Sequence, residues 1–155
     1  MIDPLLPSEL AGHPVSISWP VQWGDQDAFG HVNNVVYFRW MESARIEYFR
    51  RAGLGDMMSN QGAGPILASI KCDFRRQLTY PDTLLISASV ASIGRTSIKM
   101  VHRVYSTAQQ AVAAEGDSVI VMFEYSKQRP ILVADAIRAT IDALEGRGEA
   151  DAPKS

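Results

Sequence analysis

Between Trp23 and Asn34 the chain reads WGDQDAFGHVNN, which gathers two carboxylates (Asp25, Asp27), two glycines, an imidazole (His31) and two adjacent asparagines into one short stretch. An apolar run of helical period follows at once. The first N–H groups of such a helix lack intrahelical acceptors and carry the positive end of its dipole, which suits a carbonyl oxygen gaining negative charge during acyl transfer. A carboxylate a few residues upstream could attack that carbonyl or direct water at it. The same residue types also build turns and caps: Asp25 reads as a turn or cap former, and Asn33 and Asn34 as N-cap residues.

The elements that must position this stretch follow from the hydrophobic period. Residues 15–23 (VSISWPVQW) alternate, placing Val15, Ile17, Trp19, Val21 and Trp23 on one strand face, and Pro20 argues for an edge or for irregular pairing at that point. In NVVYFRWMESARIEYFRRAGL the period changes: Tyr37, Met41, Ala44 and Tyr48 form one helical stripe, flanked by Phe38, Trp40 and Phe49. Its polar side reads as Glu42 with Arg45, and Glu47 with Arg50 and Arg51. Gly53 and Leu54 look like a left-handed C-terminal cap. After the loop NQGAGP, a second strand (66–76) places Ile66, Ala68, Ile70, Cys72 and Phe74 in register. Three more strands follow with short connections, hence antiparallel neighbours. Residues 134–145 read as a final helix, 1–13 as an N-terminal extension, and 147–155 as a disordered tail. The expected fold is α+β: a five-stranded antiparallel sheet wrapped around one long buried helix, with a short C-terminal helix, in a single domain whose core runs from about 15 to 130. The sheet's other face and edges want cover, so a homo-oligomer is expected.

Composition narrows the function classes. The chain has 155 residues, 46% hydrophobic and 21% charged, enough for one globular core. A formal charge of −2 argues against a nucleic-acid binder. With the single cysteine Cys72 there is no intramolecular disulfide and no Cys-rich zinc site, and His13 and His102 show no ligand spacing, so no metal centre is expected. The opening residues carry no basic n-region and no apolar run approaches the roughly 20 residues that span a bilayer. A cytoplasmic protein without membrane contact is the expectation. The G-x-S-x-G elbow, the GxGxxG fingerprint and the P-loop do not occur.

The motif W-G-D-x-D-x-x-G-H-V-N-N, followed by an aromatic helix carrying A-R-x-E-Y, resembles the hotdog-fold acyl-CoA thioesterases of the 4-hydroxybenzoyl-CoA thioesterase family, over residues 15 to 130 or so. The resemblance implies that Asp27 is the catalytic carboxylate, as nucleophile or as general base on water. It further implies that the backbone N–H of Asn34 polarises the thioester carbonyl and that Gly30 lets the backbone pass close to the acyl group. His31 would orient Asp27 or water, or hold the loop. Tyr37 and Met41 would border the acyl pocket. Coenzyme A, part of the substrate rather than a cofactor, would be held by its phosphates. Arg75 and Arg76 are cations at a strand end, but family members hold the nucleotide near Arg95, Lys127 and Arg129, often from a neighbouring subunit of a homodimer or homotetramer. Two other readings stand beside hydrolysis: a non-catalytic acyl-CoA or acyl-carrier binding module, and a dehydratase acting on 3-hydroxyacyl thioesters.

Overall fold

The computed structural model describes residues 6–55 and 62–147; the expected tail beyond Arg147 and part of the NQGAGP loop lie outside them. Strand β1 (Val15–Pro20) leads through a short 3-10 turn, Trp23–Asp25, to helix α1 (Asn34–Arg51). Strands β2 (Ala63–Phe74), β3 (Thr83–Ile93), β4 (Ser97–Ser106) and β5 (Ala111–Glu124) follow, then a two-residue strand β6 (Arg129–Pro130) and helix α2 (Asp135–Leu144). The sheet is antiparallel in the order β1-β3-β4-β5-β2, and β6 adds a short rung to β5. This is the expected α+β architecture, with β6 as an unforeseen extension.

Helix α1 covers the inner face of the sheet because its apolar stripe repeats at helical spacing: Tyr37, Met41, Ala44 and Tyr48 are all buried. Its end is a Schellman turn, with Leu54 N–H donating to the Phe49 carbonyl and Gly53 at φ +78°. Gly116 of β5 lets the helix approach the sheet. A Cβ there would lie 2.7 Å from the Lys71 carbonyl oxygen and 2.7 Å from Met41 Sδ.

Three expectations need correction. Trp19 and Trp23 do not lie on a buried strand face: β1 stops at Pro20, and the two rings are 43% and 72% exposed. Trp19 sits on an edge strand beyond the helix's cover, and Trp23 belongs to the turn, where strand alternation no longer applies. Second, β2 does not keep one face from Ile66 to Phe74. Leu67 pairs with Ile120 and Ser69 with Val119, leaving Ala68 as an extra residue. That bulge exchanges the faces, so Ile66 and Ile70 lie on opposite sides. Third, Arg45 is not on the polar side of α1. It follows Met41 by four residues, on the buried stripe, and is 5% exposed. Glu47 does hold Arg50 and Arg51, at 2.8 and 3.1 Å.

Arg45 creates a polar island under the helix. Its Nη1 has no hydrogen-bond partner among the described residues. Nearby His102 is 1% exposed, with Nε2 3.0 Å from Ser118 Oγ and Nδ1 3.3 Å from the Ser87 carbonyl. Burial, reinforced by the Arg45 charge, pushes the His102 pKa down from 6.5 to about 4. The folded state therefore refuses a proton that the unfolded chain accepts between pH 6.5 and 4. Stability is full above pH 6.5 and should fall through that window, by about 3 kcal/mol in total. Urea denaturation at pH 7 and pH 4 should show this loss in the wild type and a smaller one in His102→Gln. Equal losses in the two proteins would exclude His102 as the source.

The C-terminal helix is anchored through the carboxylate that follows it. Glu145 Oε1 accepts from Tyr48 Oη at 2.7 Å and from Val90 N at 2.5 Å, while Oε2 accepts from Ser89 Oγ at 2.9 Å. Arg147 Nη2 donates to the Val90 carbonyl. Strand β1 pairs with β3 only as far as Ala88. Two side chains thus cap the β3 edge where its neighbour strand ends.

Candidate active site

The stretch between β1 and α1 divides into a scaffold and an open group. Asp25 belongs to the scaffold: its Oδ2 accepts from Gln22 N–H at 2.8 Å, and its carbonyl accepts from Asn33 N–H at 2.9 Å. Asn33 is the N-cap of α1, its Oδ1 accepting from Val35 N–H at 3.1 Å. Asp27 N–H donates to the His31 carbonyl at 2.9 Å and Gly30 N–H to the Asp27 carbonyl at 3.0 Å, closing a tight turn. Gly30 is at φ +80°, a region that disfavours side chains, and no atom lies within 4 Å of where its Cβ would be. Its backbone conformation, rather than crowding, accounts for a glycine here. Val32 N–H donates to the Leu78 carbonyl at 2.8 Å, tying the turn to the chain that follows β2.

Asp27 itself is exposed. Its Oδ1 accepts from Phe29 N–H at 2.8 Å, which orients the carboxyl group, and Oδ2 accepts from no described residue. One oxygen is held and the other is available to water or substrate. The N–H of Asn34, first residue of α1, likewise donates to no acceptor among the described residues, whereas Val35 N–H is capped by Asn33 and Val36 N–H bonds the Asn33 carbonyl. Asp27, with one carboxylate oxygen unbonded, and Asn34, with its N–H unengaged, line one space.

That space is a cleft of 410 Å³ lined at one end by Asp27, His31 and Asn34. Tyr37 and Phe74 form an aromatic wall, their rings edge to face at 5.0 Å. Burial pushes the Tyr37 phenol up to about 12, so it keeps its proton and can donate a hydrogen bond. His31 lines the cleft, its ring without a hydrogen-bond partner among the described residues, while its carbonyl holds the Asp27 turn. Met41 is fully buried and borders the cleft nowhere; it packs in the core near Gly116.

The remaining lining comes from the end of β2 and the chain beyond it: Arg75, Arg76 and Gln77. Arg75 and Arg76 both donate backbone N–H to the Ala113 carbonyl, at 2.8 and 3.0 Å. Only their position at a strand end is visible in the sequence; the bonds that bring this segment beside Asp27 join residues far apart in the chain. Arg95, Lys127 and Arg129, by contrast, stand elsewhere. Ser97 pairs with Val121 and Glu124 with Ala63, at the far end of β2 from Phe74. The eleven steps along that strand span about 35 Å. One chain does not unite these three cations with Asp27. Lys127 lies 3.6 Å from Glu124, an exposed pair.

Half-buried Cys72 is a poor nucleophile, its thiol pushed up to about 11 chiefly by burial. Among the described residues no three His, Cys, Asp or Glu side chains gather as a metal site, and no helix is long and apolar enough to cross a membrane.

Comparison with known proteins bears on the fold and the family. The structure superimposes on a crystal structure of a thioesterase from Thermus thermophilus complexed with coenzyme A and zinc, with a TM-score of 0.79 and 34% identity, over 89% of this chain and 98% of that one. It shares its fold with a thioesterase-superfamily protein from Jannaschia sp. CCS1, with a TM-score of 0.81 and 23% identity, over 92% of this chain and 94% of that one. Among curated proteins, YsmA of Bacillus subtilis is 32% identical over 80 residues, 52% of this chain and 53% of that protein. Matches to curated relatives cover between 53% and 60% of those proteins' own length. The thioesterase-like superfamily profile matches residues 21–141, most of the chain and all of the cleft residues from Asp27 to Gln77, and the protein belongs to that superfamily.

Proposed function

We infer that the protein is an acyl-CoA thioesterase, releasing a free carboxylic acid and the thiol of coenzyme A. The observation that carries this reading is the shared cleft lined by Asp27, which has one carboxylate oxygen unbonded, by Asn34, whose N–H is unengaged, and by an aromatic wall. The thioester carbonyl would lie with its oxygen at Asn34 N–H. With Asp27 as general base, water adds to the carbonyl carbon as its proton passes to the carboxylate, and the C–S bond then breaks as the sulfur regains a proton. With Asp27 as nucleophile, its oxygen adds to the carbonyl carbon, the C–S bond breaks as coenzyme A leaves as the thiolate and takes up a proton, and water then cleaves the mixed anhydride to the free acid and the Asp27 carboxylate. Both routes develop negative charge on the same oxygen, and both are served by the same N–H.

A second copy of the chain completes the nucleotide site in this proposal. Strand β2 is an edge strand twelve residues long, and Leu67 and Phe74 on it are 45% and 48% exposed. Such an edge is a template for another strand. Antiparallel pairing of two β2 strands about a two-fold axis sets the Phe74 end of one copy beside the Ala63 end of the other. Arg95, Lys127 and Arg129 of the second copy then approach the cleft from outside, where the phosphates of coenzyme A would emerge. The lone, unreactive Cys72 is consistent with a reducing cytoplasm.

The test is thiol release from short, long and aromatic acyl-CoAs, run beside an Asp27 variant. Release that depends on Asp27 supports the assignment. Tight binding without release favours the binding module, and hydration of crotonyl-CoA favours the dehydratase.

A further inference from the structure

Arg76 is the cleft residue for which the hydrolytic reading has no use. Its neighbour Arg75 is occupied: the Arg75 guanidinium lies 3.3 Å from Glu115 and 3.9 Å from Asp73. Arg76 is exposed, lines the cleft with Asp27 and has no acidic partner among the described residues. Its backbone is fixed by the bond to Ala113, so the base of the side chain is held in place. A cation in a cleft that already holds a carboxylate, and paired to no acid, is available to an anion from outside.

Distance decides which part of an acyl-CoA that anion belongs to. The pantetheine arm between the thioester sulfur and the first phosphate is about as long as four extended residues, roughly 14 Å. A compact space of 410 Å³ is only about 9 Å across. With the carbonyl seated between Asp27 and Asn34, the phosphates lie outside the cleft; the groups within reach of Arg76 are the acyl chain and the thiol end of the uncharged pantetheine arm, and of these only the acyl chain can carry an anion. Tyr37, Phe74 and Val32 supply apolar walls for its methylenes, and Gln77 supplies a further donor beside Arg76. Without Arg76, a second carboxylate on the acyl group would meet Asp27 as an unrelieved like charge.

We propose that Arg76 makes this cleft selective for acyl groups that carry a terminal carboxylate, so that the preferred substrates are thioesters of short dicarboxylic acids. The proposal rests on the thioesterase reading for the placement of the carbonyl. Arg76 acts here as a specificity residue, pairing with a group remote from the bond that breaks.

The experiment compares matched pairs that differ only in the terminal group: succinyl-CoA against butyryl-CoA, and glutaryl-CoA against valeryl-CoA. At least one pair should show a kcat/KM ratio of about 10 or more in favour of the carboxylate. In Arg76→Gln that ratio should fall about tenfold or more through loss on the dicarboxylic member, the neutral member staying within about twofold. Arg76→Lys should restore part of the preference, which distinguishes a charge effect from a folding defect. Ratios unchanged by the substitution would overturn the proposal. So would an equal loss on both members, which would place Arg76 on the shared coenzyme A portion. The same pairs are titrated calorimetrically against Asp27→Asn. Should no acyl-CoA release thiol, a dicarboxylic preference in affinity that Arg76→Gln removes would sustain the specificity while the hydrolytic reading fell. Equal affinity for both members, or none for either, would sink it.

Discussion

Replacing Asp27 by Asn is expected to lower turnover by about 10²-fold or more while leaving the fold intact. The expectation comes from what the substitution keeps. Asp27 is exposed, and its structural duties are an Oδ1 that accepts from Phe29 N–H and backbone bonds with His31 and Gly30. A carboxamide oxygen can accept the same bond from Phe29, and the backbone bonds do not depend on the side chain. The second oxygen, which bonds no described residue, becomes an amide nitrogen that neither accepts a proton nor attacks a carbonyl. Thermal unfolding of the variant should therefore match the wild type within a few degrees, and KM should change little. Turnover near the wild-type value would remove Asp27 from the mechanism. Asp25→Asn is the control. Asp25 Oδ2 caps Gln22 N–H, so that change should act on stability before it acts on rate.

The fold is legible in the sequence where burial follows a simple period. Tyr37, Met41, Ala44 and Tyr48 read as one stripe and are one, and Pro20 places β1 at an edge, where it lies. Legibility ends where a local irregularity breaks the period. The bulge at Ala68 exchanges the faces of β2, and no residue type at 67–69 announces it. Arg45 reads as polar-side by its charge, although its position four residues after Met41 puts it on the buried one. For the site, Asp25 reads as a turn or cap former and is one, since capping chemistry is local. The far wall of the cleft is not legible. Phe74 to Gln77 reach Asp27 through the bond from Val32 to Leu78 and the pairing of β2 with β5, contacts between segments distant in the chain. Met41 errs in the other direction: helical spacing tells that it is buried, but not that the cleft stops short of it.

Asn34→Pro tests the other half of the chemistry, because proline at this one position removes an N–H and little else. Asn34 is the first residue of α1, where proline is favoured and where no intrahelical bond is lost. The residue before it must be extended, and Asn33 already is, at φ −63° and ψ 138°. Its side chain would still cap Val35 N–H. Stability should accordingly stay close to that of the wild type. If the Asn34 N–H donates to the oxygen that becomes negative, its loss should reduce kcat by about 10²- to 10³-fold. KM should move far less, since the carbonyl of the ground state carries little charge for the donor to stabilise. Asn34→Ala keeps the N–H and alters only the exposed side chain, so it should retain nearly full activity. A proline variant with normal kcat would mean that the oxyanion is stabilised elsewhere. An alanine variant as impaired as the proline one would transfer the role from the backbone of Asn34 to its side chain.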